Sequence, residues 1–231
     1  MTLYEAILAR HSVRAYQLKS IAQDAADALK DEIDAINAAT GLHIQLVLDE
    51  PRAFQSPMAK YGKFRNCTNY IVMAGSPASD FDCKIGYYGE QLVLLAQTLG
   101  LNTCWVGLTY KKVPGAFELA PGEKLPCVIA LGYGETPGVQ HHSKAITEIS
   151  NLNDSAPEWF RAGVEAAQLA PTAVNQQKFR IELQPDGKTV KALPGRSLVG
   201  YTGIDLGIAM CHFDVAVRTL APDAEYEWET A

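Results

Sequence analysis

Two stretches of this sequence are apolar on more than one helical face, and they restrict the possible folds most. Residues 87–100 and 203–220 both carry apolar side chains at most positions. A helix that is apolar nearly all round has no face for solvent, so we predict that both helices are central and buried. Glycines open each helix, which suggests an internal repeat. They are Gly86, Gly89, Gly203 and Gly207.

The rest of the chain shows shorter periodic segments. Alternation of apolar and polar residues between turn-forming residues is typical of strands, and a 3.6-residue period is typical of helices. The strands predicted in this way are 43–48, 69–74, 126–131, 179–183 and 189–193, with the last two joined as a hairpin at Asp186-Gly187. The further helices predicted are 2–9, 22–38 and 158–170. This pattern predicts an α+β fold, with a mostly antiparallel sheet flanked by helices.

Composition excludes several classes of function. The 231 residues carry a formal net charge of −6 without a basic stripe, so we expect no nucleic-acid partner. No run reaches the roughly 18 apolar residues of a membrane span, so we expect no membrane partner. The five cysteines lack metal-type spacing, so we expect neither a disulfide nor a metal site. The sequence shows no signal-peptide pattern, and we expect a cytoplasmic protein.

A short basic segment, Arg10-His11-Ser12-Val13-Arg14, carries the first candidate site. In extended backbone, side chains two positions apart point the same way, so Arg10, Ser12 and Arg14 should share one face. Two guanidinium groups around a hydroxyl match the oxygens of a phosphate. The alternative is a solvated basic turn without a ligand.

Three further segments carry candidate site residues. Residues 170–177 offer amides and a hydroxyl that suit the edge of a flavin or nucleobase, although the alternative is a loop that only ends a helix. Residues 102–108 follow the first buried helix, and Gly107 would let the backbone approach a flat ligand; the alternative is core. Lys144, in the polar connection 135–157, is either a phosphate partner or a solvated loop residue.

Together these motifs resemble those of the FMN-dependent nitroreductase family. RHSVR at 10–14 is similar to the family's R-x-S-x-[RK] motif, which holds the FMN phosphate and the pyrimidine edge of the ring. APTAVNQQKF at 170–179 resembles the A-P-S-x-x-N-x-Q-P-W motif, which contacts the isoalloxazine. Residues 91–107 are similar to the family's buried helix and the loop behind it, and CVIALGYGE at 127–135 to its late strand. The resemblance implies FMN-binding roles for Arg10, His11, Ser12, Arg14, Lys63, Val106, Gly107, Lys144, Pro171, Thr172 and Asn175.

The order of the motifs departs from that of ordinary family members. There, the P-S-x-x-N motif comes soon after R-x-S-x-R and serves the flavin bound mainly by the other subunit of a homodimer. Here residues 37–41 occupy that position without the motif, which stands intact only at 170–177. We therefore predict a nitroreductase-like internal pseudo-dimer. Residues 1–150 form the first half, with the phosphate clamp and the N5 loop, and residues 151–231 form a truncated second half that donates the flavin loop. We predict a monomer, or a dimer that is not needed to complete the flavin site.

The resemblance also implies an activity. FMN would be the cofactor and NAD(P)H the electron donor, and the acceptor would be a small oxidised molecule such as a nitroaromatic or a quinone. The protein would orient the cofactor and supply positive charge, so we assign no catalytic residue. One alternative is a flavin-binding or storage protein without turnover. Another is an empty site in a fold that serves only a protein partner.

Overall fold

A computed structural model describes residues 1–229 of the chain. Its contacts define two compact units. The first unit comprises Ala9–Phe81 and Gln91–Gln140, and the second comprises Met1–Leu8, Asp82–Glu90 and His141–Ala231. The helices are α1 Leu3–Ala9, α2 Gln23–Thr40, α3 Pro57–Tyr61, α4 Phe81–Thr98, α5 Ile146–Ile149, α6 Glu158–Ala167 and α7 Thr202–Leu220. The strands are β1 Gln45–Val47, β2 Asn69–Gly75, β3 Asn102–Val106, β4 Lys124–Gly132, β5 Phe179–Leu183, β6 Thr189–Pro194 and β7 Glu227–Trp228. The division into halves at residue 150 stays a prediction.

A four-stranded antiparallel sheet, in the order β1-β2-β4-β3, forms the centre of the first unit. Every residue of β2 is buried, and Ile71 lies opposite Ile129 of β4. Helix α2 ends at Gly41, which adopts the left-handed conformation (φ 72°) that an L side chain resists. The predicted α+β architecture with a mostly antiparallel sheet is confirmed.

Two fully buried tyrosines of the first unit give a stability prediction. The Tyr16 hydroxyl donates a hydrogen bond to the Val13 carbonyl at 2.6 Å, whereas the Tyr70 hydroxyl has no hydrogen-bond partner in the described part of the chain. We expect Tyr70→Phe to raise the free energy of unfolding by about 1 kcal/mol, because a buried hydroxyl without a partner is destabilising. Tyr16→Phe should lower it by about 1 kcal/mol. Urea unfolding of both variants measures the difference, and equal losses of stability would contradict this account.

The second unit is built on α6, α7 and a small sheet in the order β5-β6-β7. Strands β5 and β6 form the predicted hairpin, while β7 pairs with β6 in parallel. Helix α7 is buried along most of its length, as predicted. Its carboxylate Asp214 accepts hydrogen bonds from Tyr87, Tyr226 and Trp228 at 2.6–2.9 Å. This satisfied buried carboxylate therefore ties the last strand to the helices.

A second buried polar pair joins α4 and α7 within this unit. His212 and Glu90 are both fully buried, and His212 Nε2 lies 3.0 Å from Glu90 Oε1. The other ring nitrogen lies 3.1 Å from the Ala166 carbonyl, which can only accept a hydrogen bond. The imidazole Nδ1 therefore donates to the Ala166 carbonyl. The hydrogen bond between Nε2 and Glu90 then requires a proton on either Nε2 or the Glu90 carboxyl group.

The predicted repeat is visible where α4 crosses α7. A Cβ added at Gly86 would lie 2.0 Å from the Ile204 carbonyl oxygen, and one added at Gly207 would lie 2.0 Å from the Cys83 carbonyl oxygen. The two contacts are reciprocal: Gly207 lies 121 residues after Gly86, and Cys83 lies 121 residues before Ile204. A local two-fold relation between the helices generates such a pair.

The order of elements repeats as well. Helix α2 precedes the antiparallel pair β1 and β2, and α4 follows it; likewise α6 precedes the antiparallel pair β5 and β6, and α7 follows it. The repeats differ between their strands. Residues 48–68 connect β1 to β2 and contain α3, whereas residues 184–188 alone connect β5 to β6.

The structure corrects several predicted boundaries. Helix α4 begins at Phe81, six residues before the predicted start, so Gly86 and Gly89 lie inside the helix, where Gly86 makes the close contact with α7 possible. The short helix α3 and the strand β7 were not predicted, since neither carries a periodic apolar pattern of sufficient length. Within residues 1–229, no helix has both the length and the apolarity needed to cross a membrane.

Candidate functional site

The basic segment at residues 10–16 lies along the edge of the first unit's sheet. Ser12 forms a parallel bridge with Thr103 of β3, and Val13 N donates to Thr103 O at 2.9 Å. The side chains of Val13 and Tyr16 are buried in the hydrophobic core. These apolar anchors fix the segment in extended backbone, as its alternating sequence predicts.

The side chains of Arg10, Ser12 and Arg14 all act electrostatically or by hydrogen bonding on one thiol, that of Cys104 on β3. Burial raises the pKa of Cys104, and the two guanidinium groups and the Ser12 side chain lower it by smaller amounts. The thiol therefore stays neutral. Arg10 is only 6% exposed, which is unusual for a guanidinium. The structure thus brings together two arginines and a hydroxyl, a donor set that suits an anion.

His11 adds no positive charge to this cluster at neutral pH. Burial lowers its pKa first, and the neighbouring Arg10 lowers it further. Gly138 packs against His11. The φ of Gly138 is 81°, and a Cβ added at Gly138 would lie 2.8 Å from the Cβ of His11. A side chain at position 138 would therefore displace the segment.

Two loops lie next to each other beyond the end of β3. Lys63 is exposed and adopts a left-handed backbone (φ 61°). Its neighbour Gly62 packs against Thr109, since a Cβ at Gly62 would lie 2.6 Å from Thr109 Oγ1. Thr109 follows Gly107 closely, so the structure brings the Lys63 turn beside the segment that was predicted to approach a ring.

The prediction of a loop after the first buried helix is wrong for residues 102–106. Residues 102–106 form strand β3, which pairs with β4 in antiparallel register, and Val106 is buried at its end. The strand was missed because it begins two residues after Gly100, which ends the preceding helical segment. Gly107 does not have a positive φ, so its importance would lie in small size rather than in backbone freedom.

In the second unit, the loop at 170–177 is tied to the segment that contains Lys144. Asn175 Nδ2 and Gln177 Nε2 both donate to the His142 carbonyl, at 2.9 and 2.8 Å. Lys144 donates its backbone N–H to Gln177 Oε1 at 2.8 Å and its Nζ to the Gln177 carbonyl at 3.0 Å. The structure therefore brings Lys144 and Asn175 together, with the amides engaged by protein partners.

The same loop holds its backbone in an unusual conformation. Val174, Asn175 and Gln177 all have positive φ, between 44° and 56°. Such residues each cost roughly 1–3 kcal/mol and need support from their surroundings. Thr172 gives part of that support, because its hydroxyl accepts from Gln177 N at 3.0 Å, and Pro171 precedes it directly.

Asp205 supports this loop, and the sequence analysis missed it. Its carboxylate is 2% exposed and accepts from Ala173 N at 2.8 Å and from Gln176 Nε2 at 2.7 Å. Burial raises the pKa of Asp205 to about 6, although the two hydrogen bonds oppose this shift. A lone acid on the otherwise apolar first turns of α7 was the available signal.

Asp205 predicts an inverted pH dependence of stability. Its folded pKa of about 6 lies above its ordinary value of 3.8, so the folded state binds this proton more tightly. Its contribution to the free energy of unfolding is thus largest below pH 4 and is lost as pH rises through 6. We expect the stability of the wild type relative to Asp205→Asn to fall between pH 4 and 6, as measured by urea unfolding.

Asp186 is the matched control for that measurement. Hydrogen bonds from the Thr189 hydroxyl and from the backbone N–H groups of Lys188 and Thr189 lower its pKa. Its contribution is therefore present above pH 4 and is lost as pH falls, so Asp186→Asn should show the opposite trend. A flat difference for Asp205→Asn across this range would mean that Asp205 titrates as in the unfolded chain.

Residues 2–217 match the family model described as "Putative TM nitroreductase". No curated protein sequence matches the chain significantly. A Thermotoga maritima structure named "putative nitroreductase" is 24% identical, with a TM-score of 0.68, over 95% of this chain and 85% of that one.

Two further structures share the fold at lower similarity. A Desulfovibrio desulfuricans "putative nitroreductase in complex with fmn" is 17% identical, with a TM-score of 0.50, over 67% of this chain and 98% of that one. A Bacteroides thetaiotaomicron "Putative NADH dehydrogenase/NAD(P)H nitroreductase" is 19% identical, with a TM-score of 0.50, over 64% and 95%. At these identities the structures show the nitroreductase-like fold alone. The match over residues 2–217 shows more: the chain belongs to the nitroreductase family described as "Putative TM nitroreductase".

Proposed function

We propose that this protein is an FMN-dependent oxidoreductase that takes hydride from NAD(P)H and passes it to a small oxidised acceptor. The observation that carries the proposal is the convergence of Arg10, Ser12 and Arg14 around the neutral Cys104 thiol. Family membership and the FMN named in a structure of the same fold support it. When bound, FMN supplies two-electron chemistry, accepting hydride and returning it to another molecule.

The residues at this site fit a phosphate-bearing cofactor. Arg10 is held within the protein, so its guanidinium is oriented before a ligand arrives. Preorganised donors bind an anion without a further loss of side-chain freedom. Arg14 is exposed and close to the same thiol, and Ser12 adds a hydroxyl. We assign the phosphate to Arg10, Ser12 and Arg14, with His11 lining the same segment.

Positive charge is the second contribution of the chain. Arg14 and Lys63 would stabilise negative charge that develops on the reduced ring, because a fixed cation lowers the energy of a nearby anion in a poorly solvated site. Val106 and Gly107 would meet the ring through the backbone at the end of β3. The chain acts here by orientation and electrostatics, and we assign no proton-transfer residue.

The resemblance assigns Lys144, Pro171, Thr172 and Asn175 to the same cofactor, and this remains a separate proposal. The rigidity of their loop supports it, since three residues with positive φ are held by Asp205 and by Lys144. A loop that is built before the ligand binds suits a rigid ring. The expectation that one chain suffices for the flavin site also stays a prediction.

Steady-state kinetics tests the proposal. With added FMN, NADH or NADPH should reduce menadione or nitrofurazone, and double-reciprocal plots at several acceptor concentrations should be parallel, as expected when the donor leaves before the acceptor binds. Turnover with neither acceptor, despite retained FMN, would favour the flavin-binding protein without turnover. Intersecting lines would contradict a single site that serves both molecules in turn.

A further inference from the structure

The connection between β1 and β2 has no counterpart in the second repeat, and it builds a cavity. Residues 48–68 connect these strands, whereas residues 184–188 suffice for the equivalent β5 and β6. A five-residue turn is enough to join two such strands. The longer segment is therefore not required by the sheet, and the cavity that it lines needs its own explanation.

The cavity has a volume of about 410 Å³, within the roughly 300–1,000 Å³ range of small-molecule sites. Its lining residues all belong to the first unit, and none belongs to the basic segment around Cys104. They are Leu18, Pro51, Phe54, Gln55, Lys60, Phe64, Asn66, Cys67 and Thr68. This site is therefore distinct from the proposed phosphate clamp.

One part of the cavity wall is aromatic and apolar. The rings of Phe54 and Phe64 lie with centroids 4.8 Å apart, tilted by 50°, and Pro51 and Leu18 extend the apolar surface. Tilted aromatic rings favour a planar ring as a neighbour, because ring edges and faces attract each other. The wall therefore suits a single aromatic ring.

The charge of the cavity is positive. Within the described chain, Lys60 is the one charged residue among those that line it. Cys67 stays neutral, since burial raises its pKa to about 12. The carboxylate of Glu50, the residue before the lining residue Pro51, is hydrogen-bonded to the Arg52 side chain and backbone. A ligand with one negative charge would complete this site.

The backbone around the cavity is also strained. Asn66 lines the cavity with φ 55°, Lys63 lies next to the lining residue Phe64 with φ 61°, and Asp49 begins the connection with φ 53°. Left-handed backbone at residues other than glycine costs energy and tends to concentrate at ligand sites. Of these three residues only Asn66 lines the cavity, and its backbone conformation supports a role in binding there.

We propose that this cavity binds a small aromatic carboxylate, with its ring against Phe54 and Phe64 and its carboxylate at Lys60. Gln55, Asn66 and Thr68 offer further hydrogen bonds at the polar side. The proposal does not rest on the proposed redox function, because neither the cavity nor its charge involves the flavin-binding residues.

The test uses 4-fluorobenzoate, which cannot act as an oxidised acceptor, and follows its fluorine NMR line width on titration with the full-length, FMN-supplemented protein. We expect saturable binding and weaker binding of the neutral 4-fluorobenzamide. Lys60→Gln should weaken 4-fluorobenzoate binding about tenfold, because a charge-assisted hydrogen bond is lost. It should leave the Kd of 4-fluorobenzamide unchanged.

Two further variants complete the test. Gln55→Trp, at an exposed position that lines the cavity, should block both probes by filling its mouth. Lys112→Gln removes an exposed lysine outside the lining and should change neither Kd. Absence of saturable binding to the wild type would overturn the proposal, as would a Kd that neither Lys60→Gln nor Gln55→Trp alters. Because no electron transfer is measured, failure here is distinct from failure of the redox function.

Discussion

Replacing Gly86 or Gly207 with alanine should lower the free energy of unfolding by about 3 kcal/mol or more. At either position a Cβ would lie 2.0 Å from a carbonyl oxygen of the opposing helix, and backbone cannot rotate out of the way as a side chain can. The higher helix propensity of alanine would offset only about 1 kcal/mol. Urea or thermal unfolding of the single variants measures the loss.

The double variant tests whether both glycines serve one crossing. Once α4 and α7 have separated to accommodate one methyl group, the second adds little, so we expect Gly86→Ala with Gly207→Ala to cost clearly less than the sum of the single losses. Gly41→Ala is the control: no atom lies within 4 Å of its added Cβ, and only its φ of 72° opposes alanine. We expect a loss of about 1 kcal/mol there. Additive losses at Gly86 and Gly207 would contradict a shared contact.

Replacing Arg14 with alanine should weaken FMN binding about 10- to 100-fold. A bidentate guanidinium–phosphate pair contributes about 1.5–3 kcal/mol, and each 1.4 kcal/mol is a tenfold change in Kd. Arg14 is exposed, so its removal should leave the fold intact. Quenching of flavin fluorescence on titration with protein measures the Kd. Ser12→Ala should weaken binding by a smaller factor, because a neutral hydroxyl forms weaker bonds.

Arg65 is the matched control for Arg14. It lies in the same unit and is exposed, but its guanidinium is paired with Glu135 at 2.7 Å. A charge that already has a carboxylate partner is a poor phosphate ligand, so Arg65→Ala should leave the Kd of FMN unchanged. Equal weakening by Arg14→Ala and Arg65→Ala would mean that general positive charge, rather than the clamp, binds FMN.

The helices and the hairpin were predictable because their physics is local. Apolar periodicity decided which faces of α2 and α6 are buried, and Asp186-Gly187 decided the turn between β5 and β6. The glycines of α4 and α7 hinted at a repeat, but the sequence contains no measure of distance. Their reciprocal contact at 2.0 Å emerges only when both helices are present in three dimensions.

In the candidate sites, too, the local arrangement was predictable from the sequence and the long-range contacts were not. Alternation predicted that Arg10, Ser12 and Arg14 share one face, and in the structure all three act on the thiol of Cys104. The support for residues 170–177 was not predictable, because Asp205 comes from a distant part of the chain. Long-range partners of this kind leave no local pattern.

The cavity at residues 48–68 was missed for a related reason. Its lining mixes apolar and polar residues without a regular period, so the sequence predicted no helix or strand there. Lys63 was the one residue of this connection with a predicted role. The second repeat joins its strands with residues 184–188 alone, so the connection that lines the cavity is specific to the first repeat.

The central claim is tested most directly by one absorption spectrum. The full-length protein is mixed with FMN, excess cofactor is removed, and NADH or NADPH is added without oxygen. We predict a retained flavin band that bleaches with at least one of the two donors and returns when menadione is added. A protein that retains no flavin band, or whose band neither donor bleaches, would contradict the assignment of this chain as an FMN-dependent oxidoreductase.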